Sequence, residues 1–163
     1  MRRRLPLVLG LTLHVSLTCA AVPGLLREDQ QWEPVRAFGM QLDYPAGIFA
    51  VDQGRATKGP GRQLSSEDGS AGLMFWVEPN ENGDTPSSFI RARLKVEGQS
   101  IDYQRVTKRF FVVSGVRRGR IYYSRCNFPD RATGPLHCIH LEYNKNEKRP
   151  WDAVVTRISL SLR

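Results

Sequence analysis

Residues 125–143, RCNFPDRATGPLHCIHLEY, gather two of the chain's three cysteines and two of its three histidines. Three chemistries compete for that stretch. A zinc site would combine thiolates with imidazole or carboxylate. A nucleophilic cysteine would need a histidine base and a third group to orient it. A disulfide needs only two cysteines facing one another in an oxidising compartment.

Spacing narrows the choice. His137 and His140 are three apart, so in a strand they point to opposite faces and cannot share an ion. If Cys126 meets Cys138 across an antiparallel pair, Ser124 meets His140 and Tyr122 meets Glu142 on one face. Tyr123 then meets Leu141, and Ile121 meets Tyr143, on the other. One face therefore collects Ile, Leu and Tyr for a core while the other collects Cys, Ser, His and Glu, and a single assumed pairing produces that separation. Residues 128–136, FPDRATGPL, with two prolines and a glycine, make the connecting loop. Joining Cys126 to Cys138 would contribute ~3 kcal/mol on the chain-entropy account. Cys126, Cys138, His140 and Glu142 on one face keep a zinc reading open, and Cys126 or Cys138 with His140 a nucleophilic one. Both need reduced thiols, which export disfavours.

The N-terminus argues for export. Arg2, Arg3 and Arg4 precede an uncharged, mostly apolar run, Leu5 to Cys19, that falls short of the ~20 residues a membrane span requires. Thr18-Cys19-Ala20-Ala21 offers cleavage after Ala20 or Ala21, and a buried helix here would have to tolerate Pro6, Gly10 and His14. The residues before Cys19 do not make a lipobox, and Arg2-Arg3 lacks the surroundings of a twin-arginine signal. Residues 1–20 thus read as a signal peptide, 21–35 as a lead-in segment and 36–163 as one domain, in the periplasm or secreted. Removing the leader takes away the third cysteine and three arginines. That leaves 21 of 24 basic residues against 16 acidic ones, so the formal charge falls from +8 to +5. The surplus favours anionic neighbours. No second apolar stretch is long enough to span a membrane.

The elements that must position these groups follow from periodicity. FGMQLDYP puts Phe38, Met40, Leu42 and Tyr44 on one side, a half-buried strand, and Ile48–Val51 is a short apolar return. DQGRATKGPG, from Asp52, reads as a mobile polar loop without the GxxxxGK[ST] pattern of a phosphate cradle. SSEDGSA signals a hairpin turn between Arg62–Ser65 and Leu73–Val77. PNENGD, Pro79 to Asp84, only weakly resembles a calcium loop, because the twelfth position from Asn80 is Arg91. Thr85-Pro86 starts a helix with Phe89, Ile90 and Leu94 on its apolar side and Gly98 as its stop. Strands are expected at Ile101–Lys108, Phe110–Val116 and Arg120–Asn127, with the cysteine hairpin supplying another. Arg149-Pro150 opens a closing helix whose Trp151, Val154, Val155, Ile158 and Leu162 form one stripe. The order predicts an α+β fold: a largely antiparallel sheet of about six or seven strands packed by two helices.

Recognisable catalytic signatures are lacking: there is no G-x-S-x-G, H-E-x-x-H or S-x-x-K, and the acidic pair Glu67-Asp68 sits in a turn. No cofactor or metal is expected. Arg117, Arg118, Arg120, Arg125 and Arg131 cluster around Tyr122, Tyr123 and Phe128. In the cytosol such a cluster would suit single-stranded nucleic acid, which export argues against. Arg117, Arg118, Arg120 and Tyr122 remain a candidate patch for an anionic envelope component or a protein partner, against the plainer reading of a solvated surface.

FGMQLDYPAGIF, RFFVVSG, GRIYYSRCNF and HCIHLEYNKNEKRPWDAVVTRISLSLR resemble a domain of uncharacterised secreted proteins of alphaproteobacteria, over residues 38 to 163. That resemblance implies no catalytic residues. More distantly, an aromatic residue ahead of Tyr44-Pro45-Ala46-Gly47, a mid-chain helix and a closing amphipathic helix look like the PsbP/DcrB-type α/β/α sandwich, whose members bind partners more often than they catalyse. The expectation is a periplasmic, non-enzymatic binding or accessory domain. The alternative is a small envelope enzyme or metal-binding protein using His140 and nearby acids.

Overall fold

Two antiparallel sheets and two α-helices are formed by residues 31–93, 99–130 and 134–163, the portion described by the computed structural model. The expected leader with its cleavage site, Leu94, the Gly98 helix stop and Arg131 lie outside those described residues. In chain order the elements are β1 (Trp32–Ala37), β2 (Met40–Pro45), β3 (Val51–Arg55), β4 (Gly61–Ser65), β5 (Gly72–Glu78) and α1 (Pro86–Arg93). They continue with β6 (Tyr103–Val106), β7 (Phe110–Arg117), β8 (Arg120–Asn127), β9 (Leu136–Asn144), a 3-10 turn at Lys145–Glu147 and α2 (Lys148–Ser161). β1 and β2 make a separate hairpin. The other seven strands form one sheet in the order β3-β4-β5-β9-β8-β7-β6, so the last strand in sequence joins the early meander to the late one.

The register expected from the cysteines is the register found: Cys126 pairs with Cys138, Ser124 with His140, Tyr122 with Glu142, Tyr123 with Leu141 and Ile121 with Tyr143. Cys126 and Cys138 are disulfide-bonded, with their Cα atoms 4.1 Å apart.

Each face of the sheet carries its own core. On one, Leu73, Phe75, Ile121, Ile139, Leu141 and Tyr143 meet Met40 and Leu42 of β2 and the whole expected stripe of α2. Trp151 of that helix stacks on Tyr143 at 4.9 Å between ring centroids. On the other, α1 presents Phe89 to Phe111 and Phe128, beside the disulfide, Trp76, Val113 and Leu136. The face that pairing had marked with Cys, Ser, His and Glu is therefore half core as well.

α1 begins as its sequence suggests, with the Thr85 hydroxyl accepting from the Ser88 N–H at 3.2 Å. The preceding PNENGD loop is closed by Asn80, whose side chain accepts from the Asp84 N–H at 2.8 Å and donates to the Asp84 carbonyl at 3.0 Å. Turn chemistry thus occupies the amide that a calcium reading would have used.

Four expectations are corrected. Trp32–Val35, expected in the lead-in segment, belong to β1, and Phe38 does not continue the apolar side of β2. It sits with Gly39 in a tight turn, both residues at positive φ, and its ring is 46% exposed. Asp52–Arg55, expected to begin a mobile loop, lie in the edge strand β3. Asp52 holds it by accepting from the Gly54 N–H at 2.7 Å and from Arg62 on β4 at 2.8 Å. The expected strand Ile101–Lys108 is limited to Tyr103–Val106.

Candidate functional site

Pairing across β5, β9, β8 and β7 lays the α1 face out as a grid. Trp76, Cys138, Cys126 and Phe111 form one row, and Met74, His140, Ser124 and Val113 the next. Gly72, Glu142, Tyr122 and Gly115 form a third, beyond which Arg120 pairs with Arg117. The first row is covered by the aromatic cluster under α1. In the third row both outer positions are glycines. Gly115 admits no side chain, because a Cβ there would collide with the Ser100 carbonyl. Gly72 places no side chain beside Glu142, and the sheet opens there into a concavity of about 690 Å³ lined by Lys58, Gln63, Arg117, Arg120, His140 and Glu142.

Glu142 is the centre of that concavity. Arg117 donates to its Oε1, and the Arg120 Nε stands 3.8 Å from its Oε2. His140 Nε2 lies 3.1 Å from Oε1. The hydrogen bond from His140, ahead of the Arg117 contact and against the effect of burial, holds the Glu142 carboxyl at about 2, so it is ionised at neutral pH. An ionised carboxylate only accepts, so Nε2 carries a proton toward it. On the other side of the ring, Nδ1 and the Ser124 hydroxyl share a hydrogen bond of 2.7 Å. Tyr122 stacks beneath the imidazole, with centroids 6.3 Å apart.

Hydroxyl, imidazole and carboxylate thus form a connected chain, the arrangement that activates a serine in hydrolases. Its surroundings differ from such a site. Ser124 lies mid-strand between β7 and β9, where backbone N–H groups are committed to ladders and leave no local oxyanion donors. Among the described residues no three His, Cys, Asp or Glu side chains are grouped to hold a metal, and the disulfide occupies both thiols of the zinc reading.

The charges do not balance within the concavity. Lys58, Arg117 and Arg120 face one carboxylate, Glu142. Arg120 Nη2 donates to the carbonyls of Ser70 at 2.8 Å and Glu142 at 3.3 Å, while its buried Nε makes no hydrogen bond. Lys58 Nζ rests 5.2 Å from the Trp76 ring centroid.

Of the four residues expected to form a patch, Arg117 and Arg120 come together at Glu142. Arg118 projects from the β7–β8 turn, exposed and at positive φ. Tyr122 offers no surface for stacking an outside ligand. Only 2% exposed, it donates to the Ser100 carbonyl at 2.8 Å and accepts from Gln99 at 2.6 Å. Lys58 and the opening beside Gly72 were not apparent from sequence, since both depend on β5 pairing with β9 across more than half the domain.

No protein-family model matches the chain, and no curated protein matches it in sequence. Fold and site together define an α+β domain with a seven-stranded antiparallel sheet, one disulfide and a cation-rich concavity. No helix among the described residues is long and apolar enough to cross a membrane.

Proposed function

We propose that the protein is an exported, non-enzymatic binding or accessory domain of the cell envelope that recognises an anionic group of its partner at the Glu142 concavity. One observation carries this reading: two guanidinium groups share a single carboxylate in an open site that a lysine also lines, leaving positive charge for an outside anion to complete. Export is supported by the closed Cys126–Cys138 bond and the leader-like N-terminus. The PsbP/DcrB-like resemblance points the same way.

Titration calorimetry with a hexaglutamate peptide tests it. The wild type should bind with an affinity that falls as salt rises. Lys58→Gln and Arg117→Gln should each weaken binding about tenfold, or ~1.4 kcal/mol. Equal affinity in all three proteins would defeat the reading.

The Ser124–His140–Glu142 chain favours a second reading, a small hydrolase. Turnover of p-nitrophenyl acetate that disappears in Ser124→Ala, with an unchanged melting temperature, would support it over the binding reading.

A further inference from the structure

A second concavity, of about 600 Å³, opens on the opposite, α2 face of the sheet, between the β6–β7 turn and the ends of β8 and β9. Lys108, Arg109, Arg125, His137 and Arg163 line it, and no acidic residue does. Arg125 is its central group. The side chain is half-buried on a central strand, yet among the described residues no carboxylate pairs with it. Neutral oxygens hold it instead: Nε donates to Asn127 Oδ1 at 2.9 Å and Nη1 to Ser159 Oγ at 3.0 Å.

Both of those acceptors are themselves fixed. Asn127 Nδ2 donates to the Leu162 carbonyl at 2.8 Å, and Ser159, only 4% exposed, shares a 2.7 Å hydrogen bond with Tyr123. The guanidinium is therefore aimed before any ligand arrives, and the entropy of ordering it is already lost. Burial pushes its pKa down, as expected of a cation taken from water without a counter-charge.

Neighbouring groups reinforce the imbalance. The Arg105 and Arg125 guanidiniums lie 5.5 and 4.5 Å from the Phe110 ring centroid, which eases but does not neutralise two like charges. Asp130, next to the lining residue Pro129, is engaged with Arg109 at 2.6 Å in a pair that is more than two-thirds exposed on both sides and contributes little. His137 stands beside Asn127 in the β8–β9 register. Apart from Thr107, the rest of the wall is apolar, formed by Phe110, Phe128, Pro129, Pro135 and Leu162.

From this arrangement we infer that the α2-face groove binds an organic anion, with its oxyanion head on Arg125 and Lys108 and a small apolar body against Phe110 and the prolines. Phosphate and carboxylate heads share the required chemistry, since a planar guanidinium serves both. The groove is independent of the Glu142 concavity, which faces the other way.

Calorimetric titration of the full chain with phenyl phosphate, benzoate and inorganic phosphate tests the assignment. Phenyl phosphate or benzoate should bind saturably, and the stronger of the two identifies the head group. Lys108→Glu, at an exposed position that carries no packing, should weaken that binding about tenfold or more. Arg125→Met, which keeps the volume of the side chain, should abolish it, with a melting curve to confirm folding; if that variant does not fold, Lys108→Glu decides. Lys58→Gln should leave the affinity unchanged, which separates this site from the one across the sheet. Absence of saturable binding by the wild type up to about 10 mM, or indifference to Lys108→Glu, would overturn the proposal. Inorganic phosphate binding as tightly as phenyl phosphate would overturn the role given to the apolar wall.

Discussion

The disulfide row and the Glu142 row lie on the same face of the same strands, two steps apart, and have opposite fates. Around Cys126 and Cys138, both 2% exposed or less, Trp76, Phe89, Phe111, Phe128 and Leu136 pack and α1 closes the surface. Around Glu142 the flanking positions are Gly72 and Gly115, and cations converge on one carboxylate. A strand's period of two assigns residues to a face but does not say whether that face is covered. Coverage here is decided by an eight-residue helix that reaches one end of the sheet. The covered row supplies stability, and the open row is where the proposed anion binding falls.

The contrast can be broken from the stable side first. Cys126→Ala with Cys138→Ala removes the cross-link and should cost ~3 kcal/mol, a drop of roughly 10 °C in Tm for a domain of this size. Anion binding at the Glu142 row should persist in whatever fraction stays folded. Loss of binding in a fully folded double variant would show that the two rows are not separable.

A smaller effect is expected from the open row. Because the folded Glu142 pKa of about 2 lies below its ordinary 4.5, the fold favours the ionised form. Its contribution is complete above about pH 4.5 and is lost as pH falls through 2. With partial exposure discounted, that contribution is roughly 2 kcal/mol. Urea melts of wild type and Glu142→Gln should therefore differ by about that amount at neutral pH and converge near pH 2. A gap that stays constant with pH would contradict the role given to the carboxylate.

Much of this is legible in the amino-acid sequence. Two cysteines fixed the β8–β9 register, because a one-residue slip would have scrambled both faces at once. The stripe from Trp151 to Leu162 could serve only as a helix face. β3 was hidden because VDQGR has no apolar alternation and is held by Asp52, Gly54 and Arg62, whose partnership appears only once the hairpin forms. β1 was hidden because WEPVRA carries a proline and two charged residues, and belongs to a hairpin outside the main sheet. His140 and Glu142 were placed together by their spacing. Their union with Arg117, Arg120 and Lys58 was not foreseeable, since it required β9 to be inserted between β8 and β5. The basic cluster reads as one patch in sequence, yet Arg120 and Arg125 differ in parity along β8, and Arg117 pairs with Arg120, so the sheet divides the cluster between its faces.

The most direct test is nuclear magnetic resonance of the native, disulfide-bonded protein titrated with hexaglutamate. The account predicts shifts at Lys58, Arg117, Arg120 and His140, with the amides of Cys126, Cys138 and Phe111 unmoved. Shifts centred on the disulfide row, or none at the Glu142 row at saturating peptide, would contradict it.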